Sequence, residues 1–245
     1  MIRFILVLTF VVLFLIFSIP ILIIEWIIGK FNKNAKDRSS LSIVQSVFRI
    51  VLWITGAKVT VIGEENVPKN QAVLYVGNHQ SYFDILITYV RCNGLTGFVA
   101  KKEMVKVPLL STWMKYLHCL FLDRDNIKEG LKTILVGIDK IKSGISIHIF
   151  PEGTRNKGDG SKVQPFKEGS LKIAEKTNCA IIPVAICNTA EIFENHLPRM
   201  KPCHVILEYG KPIYPKNLSK EDRKFLGAYT HDIIQDMVDK NMPLV

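Results

Sequence analysis

The sequence contains no Cys-x-x-Cys pair. Its five cysteines, Cys92, Cys119, Cys179, Cys187 and Cys203, are odd in number and scattered, which argues against both a zinc site and a disulfide framework. They suit a reducing compartment and the role of small core residues. No Gly-x-Ser-x-Gly elbow occurs, so a serine-hydrolase reading has no nucleophile to stand on. Gly153 and Gly158 have the spacing of a Walker A loop, but Asp159 stands where that loop needs lysine, and the reading fails. No internal repeat or low-complexity linker divides the chain. At 245 residues it holds one domain, or one domain with a small addition.

Charge is absent in one further place. From Phe4 to Ile24, 21 residues, there is no Asp, Glu, Lys or Arg, long enough to cross a bilayer core. A cleaved signal peptide has a shorter core and a small-x-small exit, which Ser18-Ile19-Pro20 matches poorly. The segment either spans or lies in one leaflet. Lys30, Lys33, Lys36 and Arg38 follow it, opposed only by Asp37. That favours a membrane location with the bulk of the chain on the cytoplasmic face, as at a bacterial inner membrane. A second apolar stretch, Leu41 to Thr55, repeats Leu41, Val44, Phe48, Val51 and Leu52 at helical spacing. It is either an amphipathic helix in the headgroup region, anchored by Trp53, or an ordinary core helix. Residues 1–56 are thus expected to form a membrane-associated two-helix segment, and 57–245 the globular domain. The net charge of +10 calls for an anionic partner such as lipid headgroups or a phosphorylated substrate. Nothing arranges aromatics or a basic helix for nucleic acid.

Within 57–245, short apolar runs alternate with helical patterns. Strands are expected at Lys58–Ile62, Ala72–Val76, Thr96–Ala100, Leu120–Leu122, Ile145–Phe150, Ala180–Ile186 and Val205–Tyr209. Helices are expected at Glu103–Tyr116 (broken by Pro108), Ile127–Lys142, Glu168–Lys176 and Lys220–Lys240. This alternation means an α/β fold, a mostly parallel central sheet flanked by helices.

The chemistry gathers at strand ends. Asn78-His79-Gln80-Ser81-Tyr82-Phe83-Asp84 joins a strand to a helix, where open α/β sheets bind ligands. Five residues along a helix turn about 500°, roughly 140° off a shared face. His79 and Asp84 therefore meet only if His79 lies in the loop and Asp84 in the first turn. Such an Asp fixes the imidazole tautomer and makes His79 a general base. Ser81-x-x-Asp84 equally fits a helix capping box, with His79 an ordinary loop residue. Phe150-Pro151-Glu152-Gly153-Thr154-Arg155 follows another strand; its glycine allows close approach and its arginine offers a bidentate fork to phosphate. A plain turn is the alternative there. Lys101/Lys102 and Asp123/Arg124 sit at two more strand exits. If those strands run parallel, one general base and several cations converge on one edge, which suits attack by an alcohol that carries phosphate.

His79-x4-Asp84, Phe121-Leu122-Asp123-Arg124, Phe150-Pro151-Glu152-Gly153-Thr154-Arg155 and Ile182-Pro183-Val184, with Pro165-Phe166-Lys167-x-Gly169, resemble in order the motifs of the glycerolipid acyltransferase family, and within it the branch that acylates lysophosphatidic acid. The likeness runs from about Val73 to Ala185. It implies that His79, oriented by Asp84, deprotonates the 2-hydroxyl of lysophosphatidic acid, whose oxygen attacks the thioester of acyl-CoA or an acyl carrier protein. It implies acceptor binding by Arg124, Glu152, Gly153, Thr154 and Arg155, with Lys101, Lys102 and Lys167 as further contacts, and an oxyanion held by backbone N–H groups after Ser81. No metal or bound cofactor is implied; the thioester is a co-substrate. Glycerol 3-phosphate or another lysophospholipid remains the alternative acceptor. His118, His148, His196, His204 and His231 lie outside the motifs and read as structural or surface residues.

Overall fold

The structure, a computed structural model, describes residues 1–245. Two long helices lead: α1, Ile2–Phe31, and α2, Lys33–Thr55. Asn32, with extended backbone, breaks them apart, and its side chain accepts a hydrogen bond from the Ala35 N–H at 3.0 Å to cap α2, the standard means of satisfying an open helix end. Gly56 closes α2 in the left-handed conformation. Both helices outrun the apolar stretches that announce them, because the basic residues around the bend are good helix formers.

The domain that follows runs β1 (Lys58–Ile62), β2 (Leu74–Gly77), α3 (Tyr82–Tyr89), β3 (Thr96–Lys101), α4 (Leu110–Tyr116), β4 (Leu120–Leu122), α5 (Ile127–Lys142), β5 (Ser146–Ile149), α6 (Lys172–Thr177), β6 (Ile181–Cys187), β7 (His204–Tyr209), α7 (Lys220–Lys224) and α8 (Leu226–Asn241). The helix expected over 103–116 is a short 3-10 turn at Lys102–Lys106 and then α4; Pro108, which has no N–H, separates them. The closing helix likewise divides at Phe225.

The sheet has seven strands in the order β1-β7-β6-β2-β5-β3-β4. From β6 to β4 all neighbours are parallel. β7 runs antiparallel to β6, and β1 parallel to β7. The central strands β2, β5 and β6 are buried along their whole length, as parallel strands covered on both faces must be. One face carries α5, α6 and α8 over a core of Leu74, Ile147, Ile173, Ile181 and Ile234.

The other face carries α3, α4 and the α1–α2 hairpin. Val7 and Val51 pack with Tyr75, Phe83 and Ile87, and Leu22, Leu41 and Val44 with Tyr89, Phe98 and Trp113. The hairpin is also hydrogen-bonded in place. The Trp113 indole donates to Ser18 Oγ at 3.0 Å, Tyr116 OH donates to the Leu22 carbonyl at 3.2 Å, and Gln45 Nε2 donates to the Tyr89 and Cys92 carbonyls at 3.1 and 2.8 Å. α1 is long and apolar enough to cross a membrane, yet one stripe of it lies on the domain from Phe4 to Leu22. All five cysteines are free thiols, and burial pushes Cys92 and Cys187 up to about 12.

Candidate active site

Strand β2 ends at Gly77, and the Asn78 side chain continues its ladder. Asn78 Oδ1 accepts from the Ile186 N–H at 2.8 Å and Asn78 Nδ2 donates to the Ile186 carbonyl at 2.9 Å. A side-chain amide thus stands in for one more rung of main chain and frees the backbone to turn outward. The turn delivers His79 at the carboxyl edge of the parallel strands, and α3 begins at Tyr82.

His79 Nδ1 lies 2.7 Å from Asp84 Oδ2. The same oxygen accepts the N–H groups of Gln80 at 2.7 Å and Ser81 at 2.8 Å, and the other carboxylate oxygen accepts from Thr189 Oγ1. An ionised carboxylate only accepts, so Nδ1 bears the hydrogen and Nε2 presents its lone pair outward. The ring is clamped further by Phe150, stacked on it at 4.2 Å and 12°. Asp84 is also the capping residue of α3: Ser81 Oγ accepts from Phe83 N–H while Asp84 accepts from Ser81 N–H. One carboxylate therefore makes both the contact with His79 and the cap of α3.

Glu152 stands beneath the loop. Oε1 accepts the His79 N–H at 2.6 Å and Oε2 the Gln164 N–H at 3.2 Å, while Asn156 N–H donates to the His79 carbonyl at 2.7 Å. The carboxylate is buried, and that burial pushes its pKa up to about 7 against the pull of its two N–H donors. It faces the His79 loop rather than open solvent. Gly153 has φ +80 and passes close under the Lys167 side chain, a backbone conformation that disfavours any residue with a Cβ. Thr154 is exposed.

Arg155 completes the cluster through a residue that carries no motif signal. Its Nη1 donates to Glu194 Oε1 at 3.1 Å, its Nη2 donates to Tyr82 OH at 3.1 Å, and its guanidinium lies 3.8 Å over the Tyr82 ring. Glu194 also accepts from Ser81 Oγ at 2.6 Å and Tyr82 N–H at 2.9 Å. The N–H groups after Ser81, expected to be open for an oxyanion, are taken: Tyr82 by Glu194 and Phe83 by Ser81 Oγ. Capping the helix and leaving those donors free are incompatible, and the cap has won.

The four strand exits do run parallel, but they form two groups. β4 is three places from β2 in the sheet, or about 14 Å at the usual strand spacing. At the ends of β3 and β4, Lys102 pairs with Asp123 at 2.8 Å, Lys101 with Glu103 at 3.5 Å, and Arg124 is exposed. These residues make an outer rim. His79, Asp84, Glu152 and Arg155, joined by Thr189 and Glu194, make the inner cluster.

A family model described as Acyltransferase matches residues 58–187, which contain His79, Asp84 and the whole Phe150–Arg155 segment. The chain belongs to the acyltransferase family. It is 30% identical over 208 residues to a 1-acyl-sn-glycerol-3-phosphate acyltransferase of Borreliella burgdorferi, covering 85% of this chain and 81% of that one. A Haemophilus influenzae protein of the same name is 30% identical, covering 83% of each. The crystal structure of the 1-acyl-sn-glycerophosphate acyltransferase from Thermotoga maritima superposes with a TM-score of 0.82 at 26% identity, over 98% of this chain and 94% of that one. That match takes in the α1–α2 hairpin as well as the acyltransferase domain.

Proposed function

We infer that this acyltransferase moves an acyl group from an acyl thioester, acyl-CoA or acyl carrier protein, to the sn-2 hydroxyl of lysophosphatidic acid, giving phosphatidic acid. The His79–Asp84 pair, with Nε2 turned outward at the carboxyl edge of the parallel strands, carries the reading. His79 takes the hydroxyl proton as the oxygen attacks the thioester carbon. The tetrahedral centre collapses, the C–S bond breaks, and the imidazolium returns the proton to the leaving thiolate. Asp84 holds the ring in the tautomer this needs. The donor is already activated, so an acyl-enzyme serves no purpose.

Arg155 is our candidate for the acceptor phosphate, since it stands in the same cluster as His79. Arg124, Lys101 and Lys102 lie further out and suit the phosphates of a larger donor. Lys167, whose side chain lies close over Gly153, and the exposed Thr154 are further candidates for acceptor contact. Glu152 we assign to holding the His79 loop.

We further infer that the hairpin lies in one leaflet. The domain touches α1 from Phe4, whose ring stacks on Phe193 at 5.5 Å, to Leu22, whose carbonyl accepts from Tyr116 OH at 3.2 Å. A helix covered along that length cannot stand across a bilayer without dragging polar surface into it. Its outward stripe, Ile2, Leu13, Phe17, Ile24 and Phe31, is left for lipid, and the basic bend favours the cytoplasmic face.

The test is turnover by the purified full chain with lysophosphatidic acid, glycerol 3-phosphate and monoacylglycerol as acceptors, each with acyl-CoA and with acyl carrier protein. Preferred use of lysophosphatidic acid supports the reading. A preference for glycerol 3-phosphate would replace it with the other acceptor.

A further inference from the structure

The bend of the hairpin carries charge that the His79 cluster does not use. Lys30, Lys33 and Lys36 line, with Trp26, Gly29 and Tyr116, a concavity of about 270 Å³. Lys30 Nζ lies 4.9 Å from the Trp26 ring and Lys36 Nζ 4.2 Å from the Tyr116 ring. A further ammonium comes from the domain itself: Lys140, near the end of α5, reaches His118 Nδ1 at 3.0 Å, and His118 Nε2 bonds Asp37 of α2 at 2.9 Å. Burial, and then the charges of Lys33 and Lys36, pull the Lys140 pKa down. The carboxylates of this region are turned inward. Glu25 and Asp37 are each 3% exposed. Lys36 Nζ lies 3.4 Å from Asp37 Oδ1 with its side chain 16% exposed, and Lys30 and Lys33 are the ammonium groups that face outward.

The concavity shares Trp26 and Tyr116 with an apolar groove of similar volume, about 270 Å³, completed by Ile19, Leu22 and Ile23. Free phosphate or a nucleic acid would use only the basic half. A molecule anionic at one end and apolar at the other uses both. Tyr116 and His118 precede β4 and Lys140 precedes β5, so the site lies at the amino-terminal edge of the sheet, opposite His79.

We propose that the hairpin bend is a binding site for an anionic phospholipid, with Lys30, Lys33, Lys36 and Lys140 around the phosphate-bearing headgroup and the upper part of one acyl chain in the Ile19–Leu22–Ile23 groove. The site rests on the one-leaflet reading of the hairpin and adds to it a defined headgroup contact. It fixes the edge of the domain remote from the chemistry, so that an anionic surface sets the tilt of the domain as well as its residence.

The full chain, purified in neutral detergent, is mixed with vesicles of phosphatidylcholine alone or doped with phosphatidylglycerol, and bound protein is measured by flotation. The wild type should prefer the doped vesicles. A lysine at an anionic surface is worth about fivefold, so Lys30→Gln/Lys33→Gln/Lys36→Gln should lose on the order of 100-fold of that preference, while its binding to phosphatidylcholine is unchanged. The corresponding Arg triple should retain the preference. Lys216→Gln/Lys220→Gln/Lys224→Gln removes the same formal charge near α7, on the other face of the sheet, and should leave it intact. Tyr116→Leu removes no charge, yet should lower retention of phosphatidylglycerol by the full chain in native mass spectrometry. Equal losses in the two Gln triples, unchanged retention in Tyr116→Leu, or displacement of the lipid by inorganic phosphate would each overturn the site. If the wild type floats with neither vesicle, the one-leaflet reading falls and this site with it; if it floats equally with both, the site alone falls.

Discussion

Glu194 reaches Arg155 at 3.1 Å and with the same carboxylate holds the Ser81 hydroxyl at the head of α3. The arginine assigned to the acceptor phosphate is therefore half neutralised before substrate arrives, and whatever moves it also touches the helix that carries Asp84.

Arg155→Ala should raise the KM for lysophosphatidic acid by about 10- to 150-fold, the worth of a charge-assisted hydrogen bond, with a smaller effect on kcat. Arg155→Lys should recover part, since it keeps charge but loses the fork. Use of monoacylglycerol, which has no phosphate, should not fall. Glu194→Gln removes the competing charge while leaving an acceptor for Ser81, and should lower the KM for lysophosphatidic acid. Steady-state kinetics on the two acceptors decide this. Equal losses on both acceptors through kcat would assign Arg155 to shaping the site instead.

His79→Ala should cost about 10²-fold or more in turnover with little change in melting temperature, because Asp84 keeps its other donors. Asp84→Asn should lower both. An amide nitrogen would then either face the N–H groups of Gln80 and Ser81, which need an acceptor, or take the place of the oxygen to which the Thr189 hydroxyl now donates, forcing that hydroxyl to accept instead. Thermal melts paired with turnover separate the roles. Near-normal turnover in a destabilised Asp84→Asn would reduce this residue to a cap.

Glu152 sets a pH dependence. Its folded value of about 7 stands above the ordinary 4.5, so the folded state holds the proton more tightly than the unfolded chain. Stability from this group is complete below about pH 4.5 and is lost as pH rises towards 7. The span corresponds to on the order of 3 kcal/mol. Denaturant titrations of wild type against Glu152→Gln across that window should show the wild type losing ground as pH rises. Turnover should move the opposite way. The ionised carboxylate accepts both the His79 and Gln164 N–H groups, whereas the neutral acid turns an O–H towards one of them. A flat stability difference across the window would place the titration elsewhere.

The two stripes of α1 should respond differently to charge. Phe17 is 69% exposed and Leu22 is 7% exposed. Phe17→Lys should keep the wild-type melting temperature and weaken vesicle binding, a lysine within the apolar depth of a bilayer costing roughly 2.5–3.5 kcal/mol. Leu22→Lys should instead destabilise the fold, because Leu22 packs with Leu41 and Trp113. Flotation and melting together test the orientation; loss of fold in Phe17→Lys would put that stripe against protein.

Most of the sheet was legible because parallel strands buried on both faces are short continuous apolar runs. Ile145–Phe150 and Ala180–Ile186 need no partner information to be recognised. Their order, and the reversal at β7, are set by packing between distant segments and leave no local trace. His79 and Asp84 were legible as a pair because strand-to-helix geometry restricts where a five-residue spacing can close. Glu194 was not. It sits in an irregular stretch after β6, and only the fold brings it 112 residues back to Tyr82. Glu152 shows the converse: the motif flagged the residue, but its partners are backbone N–H groups that no sequence pattern names. Lys101 and Lys102 stand apart from the inner cluster because they pair with Glu103 and Asp123, and Arg124 because β4 is the edge strand, three places from β2.

The reversal at β7 decides where the anchor meets the chemistry. Because β7 turns back and β1 runs beside it, β1 starts at the carboxyl edge of the central strands. The end of α2 and the beginning of α1 are drawn there too, with Arg3 against Gly56 and Phe4 on Phe193, one residue from Glu194. For a hairpin bedded in a leaflet, the mouth of the site then opens at the lipid surface itself. In that arrangement a single-chain lipid would drift in sideways with its tail never leaving oil, and a two-chain lipid would drift out the same way. The concentration governing turnover would then be the acceptor's mole fraction in the leaflet, so diluting the membrane with inert lipid should slow the reaction while diluting the suspension with buffer should not.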